Sequence, residues 1–93
     1  MIVGVLTVDV AVLDARSLKD KRRVILSLKQ RLQNSFNVSV AEVGHQDAHK
    51  RCLLAMAMVS QDTRSMHSKF DKMVDLVRRM KGLSLVDYER TIY

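Results

Sequence analysis

Two imidazoles and a carboxylate crowd the segment Gly44-His45-Gln46-Asp47-Ala48-His49, a combination that can ligate a divalent transition metal when further ligands join it. His45 and Asp47 are the candidate ligand residues. No further ligand stands at metal-site spacing, and His and Asp are also common turn formers, so the segment reads as a turn carrying a candidate ligand site, without a metal. The one thiol, Cys52, lies in an apolar run, where cysteine serves as a small buried hydrophobe; a reactive thiolate needs cationic neighbours and solvent. His67 borders an apolar helical stripe and is expected to pack. The chain has no glycine-rich phosphate loop, nucleophile motif or recognisable acid–base carboxylate pair. These absences lead to the expectation of a protein that is not an enzyme and carries no cofactor.

Charge is the stronger chemical signal. Sixteen Lys and Arg oppose ten Asp and Glu, giving a net charge of +6 and a pI near 9.9, which favours polyanionic partners through long-range attraction. From Arg16 to Arg31 seven basic residues face Asp20 alone, and from Arg64 to Lys81 six face Asp71 and Asp75. The two stretches together carry +10 and the remainder −4. Lys19, Lys21, Arg22, Arg23 and Lys29 are the candidate nucleic-acid-binding residues, because ammonium and guanidinium groups neutralise phosphates without reading bases. An ordinary solvated helix exterior has a similar composition, so charge narrows the partner class without naming a partner. Lys21 stands apart from the others. At 100° per residue it falls within the stripe of Ile25, Leu28 and Leu32, so its stem should pack while its ammonium reaches solvent or holds a ligand anion.

The elements that must position these groups follow from periodicity. Residues 2–13 are rich in Val and Leu on both alternating faces, as in a central strand. Although apolar, this start is interrupted by Asp9 and lacks leading positive charge, so it reads as a strand and not as a signal or membrane segment. Ser17, with Asp20 three residues later, resembles a capping box and opens a helix to about Ser35, with Leu18, Val24, Ile25, Leu28 and Leu32 on one face. Asn37–Val43 alternates as a short strand, and Arg51–Ser60 is again apolar on both faces, so the two should pair as a hairpin. Asp62 caps a second helix with Met66, Phe70, Met73, Val74, Val77 and Met80 at helical spacing, and Gly82 stops it. Leu83–Ile92 is the last strand, with Asp87 and Glu89 on one side.

The order βαββαβ predicts an α+β, ferredoxin-like fold: a four-stranded antiparallel sheet in the order 4-1-3-2 with two helices on one face. Each half is expected to form a right-handed crossover joining parallel neighbouring strands. Residues 1–93 form a single domain, because so short a chain cannot divide its core, and nothing in it resembles a linker. A lone cysteine forms no internal disulfide, so a reducing, cytoplasmic location is expected.

Two surfaces follow from this layout. The exteriors of both helices should merge into one basic face while the sheet edges stay acidic. The opposite face of the sheet lacks helix cover and is a candidate for self-association. RNA-recognition motifs share the topology but stack bases on aromatics of the central strands, and these strands contain no Phe, Tyr or Trp. Nucleic-acid contact would therefore fall to phosphate-directed Lys and Arg, a mode that suits structured RNA. Met56, Met58, Met66, Met73 and Met80 read as adaptable core or interface filler.

At Arg16-Ser17-Leu18-Lys19-Asp20-Lys21-Arg22-Arg23, at Phe36-Asn37-Val38-Ser39-Val40-Ala41-Glu42-Val43 and at His45-Gln46-Asp47, the chain resembles the YlxP-like family of uncharacterised small bacterial proteins. The resemblance implies a ferredoxin-like domain without established catalytic residues. Because such proteins are often encoded beside translation initiation and ribosome-binding factors, it also implies, by association, a role near ribosome assembly or initiation. Where the family's turn more often has an aromatic after His-Gln-Asp, this chain has His49, which counts against a shared metal site through that residue. The combined expectation is a non-enzymatic accessory protein that binds structured RNA or a ribosomal particle through its basic helical face. The alternative is a homodimeric protein-interaction module using the open sheet face, without nucleic-acid binding. Neither reading involves a membrane.

Overall fold

A computed structural model describes residues 1–93 and places six elements in chain order: β1 (Ile2–Val12), α1 (Leu18–Ser35), β2 (Ser39–Gly44), β3 (Arg51–Ser60), α2 (Thr63–Arg79) and β4 (Leu83–Ile92). Each helix starts where a side chain replaces a missing backbone acceptor. Ser17 is extended, and its Oγ accepts the Asp20 N–H at 3.2 Å, while Asp20 Oδ2 accepts the Arg16 N–H at 3.1 Å. The Asp20 carboxylate thus reaches one residue before the cap, and the capping box is not closed on Ser17 itself. Asp62 Oδ1 accepts the Ser65 N–H at 2.7 Å and begins α2. After α2 the chain turns through Gly82 at φ 87°, a left-handed conformation in which a Cβ would be strained.

The strands form one sheet in the order β2-β3-β1-β4, with every neighbouring pair antiparallel. This is the ferredoxin-like arrangement. It corrects the expectation that each crossover joins neighbouring parallel strands: β1 and β2 are parallel but separated by β3, and β3 and β4 are parallel but separated by β1. The reason is dimensional. A helix about 10 Å across covers roughly two strand spacings of about 4.8 Å, so each crossover leaves a gap that a strand of the other half fills.

Both helices lie on the same side of the sheet. Leu6, Val8, Val10 and Val12 of β1 and Cys52, Leu54, Met56 and Met58 of β3 join the apolar stripes of α1 and α2 in one cluster of 19 buried residues. All five internal methionines belong to it, so their role is core filling. At Gly4, β1 comes so close to α2 that a Cβ would collide with the Met66 sulfur and crowd Phe70 Cζ at 3.2 Å. Two register shifts locally alter the alternation. One, between Asp9 and Val10 of β1, lies opposite β4, where Leu85 pairs with Val10 and Asp87 with Asp9; Leu83 and Leu85 therefore face the helices, but so do Arg90 and Ile92 further on. The other shift lies between Glu42 and Gly44 in β2. Val3, Val5, Thr7, Leu53, Ala55 and Ala57 point away from the helices, and no element covers them.

Candidate nucleic-acid interface

The first turns of α1 carry Lys19, Arg22 and Arg23 on the solvent side, all exposed, because the apolar stripe that docks the helix is offset from them by the 100° step. The molecule has three ion pairs, Lys21–Glu42, Arg51–Asp9 and Arg90–Asp71, and none involves Lys19, Arg22, Arg23 or Lys29. Their charge is therefore available to a polyanion. Lys29 is half-buried and shares with Arg22, Ile25, Leu26 and Glu42 an open depression of about 230 Å³ between α1 and β2. A second depression, of about 360 Å³, is lined by Arg31, Asn34 and Ser35 of α1 and by Leu76 and Arg79 of α2. Arg31 and Arg79 thus bring the cationic surfaces of the two helices to one place.

Lys21 does not belong to this surface, which corrects both its place among the nucleic-acid-binding candidates and the expectation that its ammonium reaches solvent. The residue is 1% exposed. Its Nζ donates to Glu42 Oε1 at 3.0 Å, to the His45 carbonyl at 2.8 Å and to the Ala48 carbonyl at 2.8 Å, which uses all three ammonium donors. The stem continues the packed stripe, but the head points into the end of the β2–β3 hairpin. No donor remains for a ligand anion. Lys21 acts as an internal brace between α1 and the hairpin connection.

That brace accounts for the turn. His45 adopts φ 58° and offers its carbonyl both to Lys21 and to the Ala48 N–H at 3.0 Å, so its contribution comes from the backbone while its imidazole is exposed. Asp47 is exposed as well. His45, Asp47 and His49 belong to no group of three or more His, Cys, Asp or Glu side chains disposed to hold a metal. Cys52, on the core face of β3, is fully buried, and its thiol is pushed up to about 12, first by loss of hydration and then by the nearby Glu42 carboxylate. His67 is exposed instead of packed, which corrects the expectation drawn from the α2 stripe. It lies just outside that stripe, and Arg90 of β4 reaches across to its Nδ1 at 3.0 Å and its carbonyl at 3.3 Å while pairing with Asp71.

Glu42 is the structural residue missing from the candidates. Its signal was present in the alternation of β2, which places Glu42 on the same face as Val40, towards a helix whose own inward stripe contains a lysine. The acidity of the sheet is also less symmetrical than expected: Asp87 and Glu89 line the β4 edge, whereas Glu42, the one carboxylate of β2, is consumed by Lys21. No helix is long and apolar enough to cross a membrane.

The topology and the two cationic helix exteriors define the class: a small ferredoxin-like α+β domain with one basic layer and one bare sheet face. The chain belongs to the family described as Protein of unknown function (DUF503), whose model matches residues 3–90. It is 32% identical over 90 residues to the uncharacterised protein YlxP of Bacillus subtilis (strain 168), covering 97% of this chain and 92% of that protein. Among solved structures, the de novo designed protein Foldit4 is similar with a TM-score of 0.56 at 11% identity, covering 100% of this chain and 97% of the design. A dimeric ferredoxin-like protein of unknown function from Thermobifida fusca is similar with a TM-score of 0.42 at 9% identity, covering 98% of this chain and 90% of the other.

Proposed function

We propose that this protein is a non-enzymatic cytoplasmic accessory factor that binds structured RNA, or the RNA of a ribosomal particle, through the exposed cations of α1 and α2. The observation that carries the reading is the set of helix cations without carboxylate partners: Lys19, Arg22, Arg23 and Lys29 face solvent or an open depression, while the molecule's ion pairs are formed elsewhere. Such a surface suits a rigid array of phosphates. It gives affinity through counterion release and little base selectivity, in keeping with central strands that lack aromatics. The non-enzymatic part is supported by the state of the reactive groups. The Cys52 thiol is buried and protonated at physiological pH, and the Lys21 ammonium is fully engaged within the fold.

The test is a salt-titrated binding series on ribosomal subunits and on a hairpin RNA. Binding is expected at low salt, to weaken steeply towards physiological salt, and to be reduced at least tenfold by the double change Arg22→Glu/Arg23→Glu with the fold unchanged. Binding that ignores the double change, or none at low salt, removes the reading.

A further inference from the structure

We propose that the open sheet face seats a second copy of this chain, related by a two-fold axis that runs along the strands between β3 and β1. The middle of that face is built of small side chains and is mostly apolar, with Val5 opposite Ala57 and Thr7, its one hydroxyl, opposite Ala55, and Val59 at one end is 61% exposed. Small side chains let two sheets approach to the usual spacing of about 10 Å. Strands of this number and length, at about 3.3 Å per residue and about 4.8 Å apart, present roughly 600 Å². Two copies would bury about 1,200 Å², the lower bound of specific interfaces and above most adventitious contacts.

Charge selects the axis. On this face the β4 edge carries Asp87 and Glu89, while the β2 edge carries no charge. An axis across the strands would lay β4 on β4 and set these carboxylates of the two copies against one another. An axis along the strands lays β4 on β2 and β1 on β3, which keeps them apart. Asp9, the remaining carboxylate of the face, is already neutralised by Arg51 through contacts of 2.7 and 3.3 Å.

Shape selects the same axis. Tyr93 extends the β4 ladder by donating its N–H to the Val3 carbonyl at 2.8 Å; Ile92 before it packs on the core, so alternation puts the Tyr93 ring on the open side, 77% exposed. At the other edge of the same row, Val3, Asn37, Val38, Ser39, Ala57 and Val59 surround an open hollow of about 340 Å³. The axis along the strands exchanges these two edges. Each copy's Tyr93 then enters the other's hollow, as a closed, self-complementary contact requires. The basic helices face outward on both sides of the pair, so the dimer does not depend on RNA binding.

Sedimentation equilibrium from micromolar to millimolar concentration tests the assembly. The mass is expected to approach twice the 10.6 kDa of one chain. Tyr93→Ala should raise the dimer dissociation constant tenfold or more, and Ala57→Glu, close to the axis, should leave a monomer with an unchanged circular-dichroism spectrum. A mixture of Asn37→Cys and Tyr93→Cys chains should be joined by a short bismaleimide, with Cys52 too buried to compete. A monomeric mass throughout overturns the proposal, as does cross-linking of Tyr93→Cys to itself in place of Asn37→Cys.

Discussion

Lys21 shows how a single buried charge can fix a surface without being part of it. Its ammonium satisfies one carboxylate and two carbonyls from chain positions 21 to 27 residues away, and it thereby joins the start of α1 to the His45–Ala48 turn. Replacing one member of such a set leaves the others buried and unpaired, which is more damaging than never having had the pair. Lys21→Met keeps the apolar stem and removes the head. Because Glu42 retains some access to water, the expected loss is about 2–4 kcal/mol, less than for a fully enclosed pair. In a domain of this size that corresponds to a fall in Tm on the order of 10 °C or more. Thermal unfolding checks the loss, and the added change Glu42→Gln should recover part of it, because it removes the orphaned charge. Additive losses from the two changes would show that Lys21 and Glu42 do not act together. The sequence placed Lys21 in the stripe correctly but could not supply its partners, which periodicity does not connect to it; only the inward phase of Glu42 hinted at one.

At the scale of elements, the strands and helices were legible almost residue by residue, because each carries its own phase. Ser17 and Asp62 marked both helix starts and the doubly apolar runs the two central strands, whereas α2 already ends at the extended Met80 and Gly82 serves the turn that follows into β4. What escaped were relations between elements. The register shift at Asp9/Val10 lets β4 turn leucines inward at its start and Arg90 and Ile92 inward later, a change of phase that strict alternation cannot contain. His67 was misplaced for a similar reason: the edge of a helical stripe is set by what lies beneath it, and there Arg90 arrives from β4. Gly4 is another such relation. A glycine in a central strand reads locally as a weakness, yet here it marks the closest approach of β1 to α2. Gly4→Val should therefore destabilise the domain by about 1–3 kcal/mol through overpacking against Met66 and Phe70, despite the better strand propensity of valine. Urea unfolding measures this, and pairing the change with Met66→Ala should relieve part of the loss. A stabilised Gly4→Val variant would mean that α2 does not press on β1 in this way.

For the whole molecule, the question is whether the basic helices act as one surface. Arg31 and Arg79 lining one depression are the point of contact, and Lys19, Arg22, Arg23 and Lys29 lie on α1 while Arg64, Lys69 and Lys72 lie exposed on α2. Asp75 and the Arg90-bound Asp71 interrupt the charge of α2 without balancing it. If a phosphate array spans both helices, each cation lost from either helix should remove one phosphate contact, lowering the slope of log affinity against log salt by about 0.7–0.9 per contact. The pair Lys69→Gln/Lys72→Gln on α2 is then expected to flatten that slope about as much as Lys19→Gln/Arg22→Gln on α1. Measuring both slopes on the same hairpin RNA decides the matter, since a surface-wide charge effect and a docked array differ in where they respond. Neutralising α2 without effect would confine the interface to α1 and the α1–β2 depression, leaving the second helix with only its packing role.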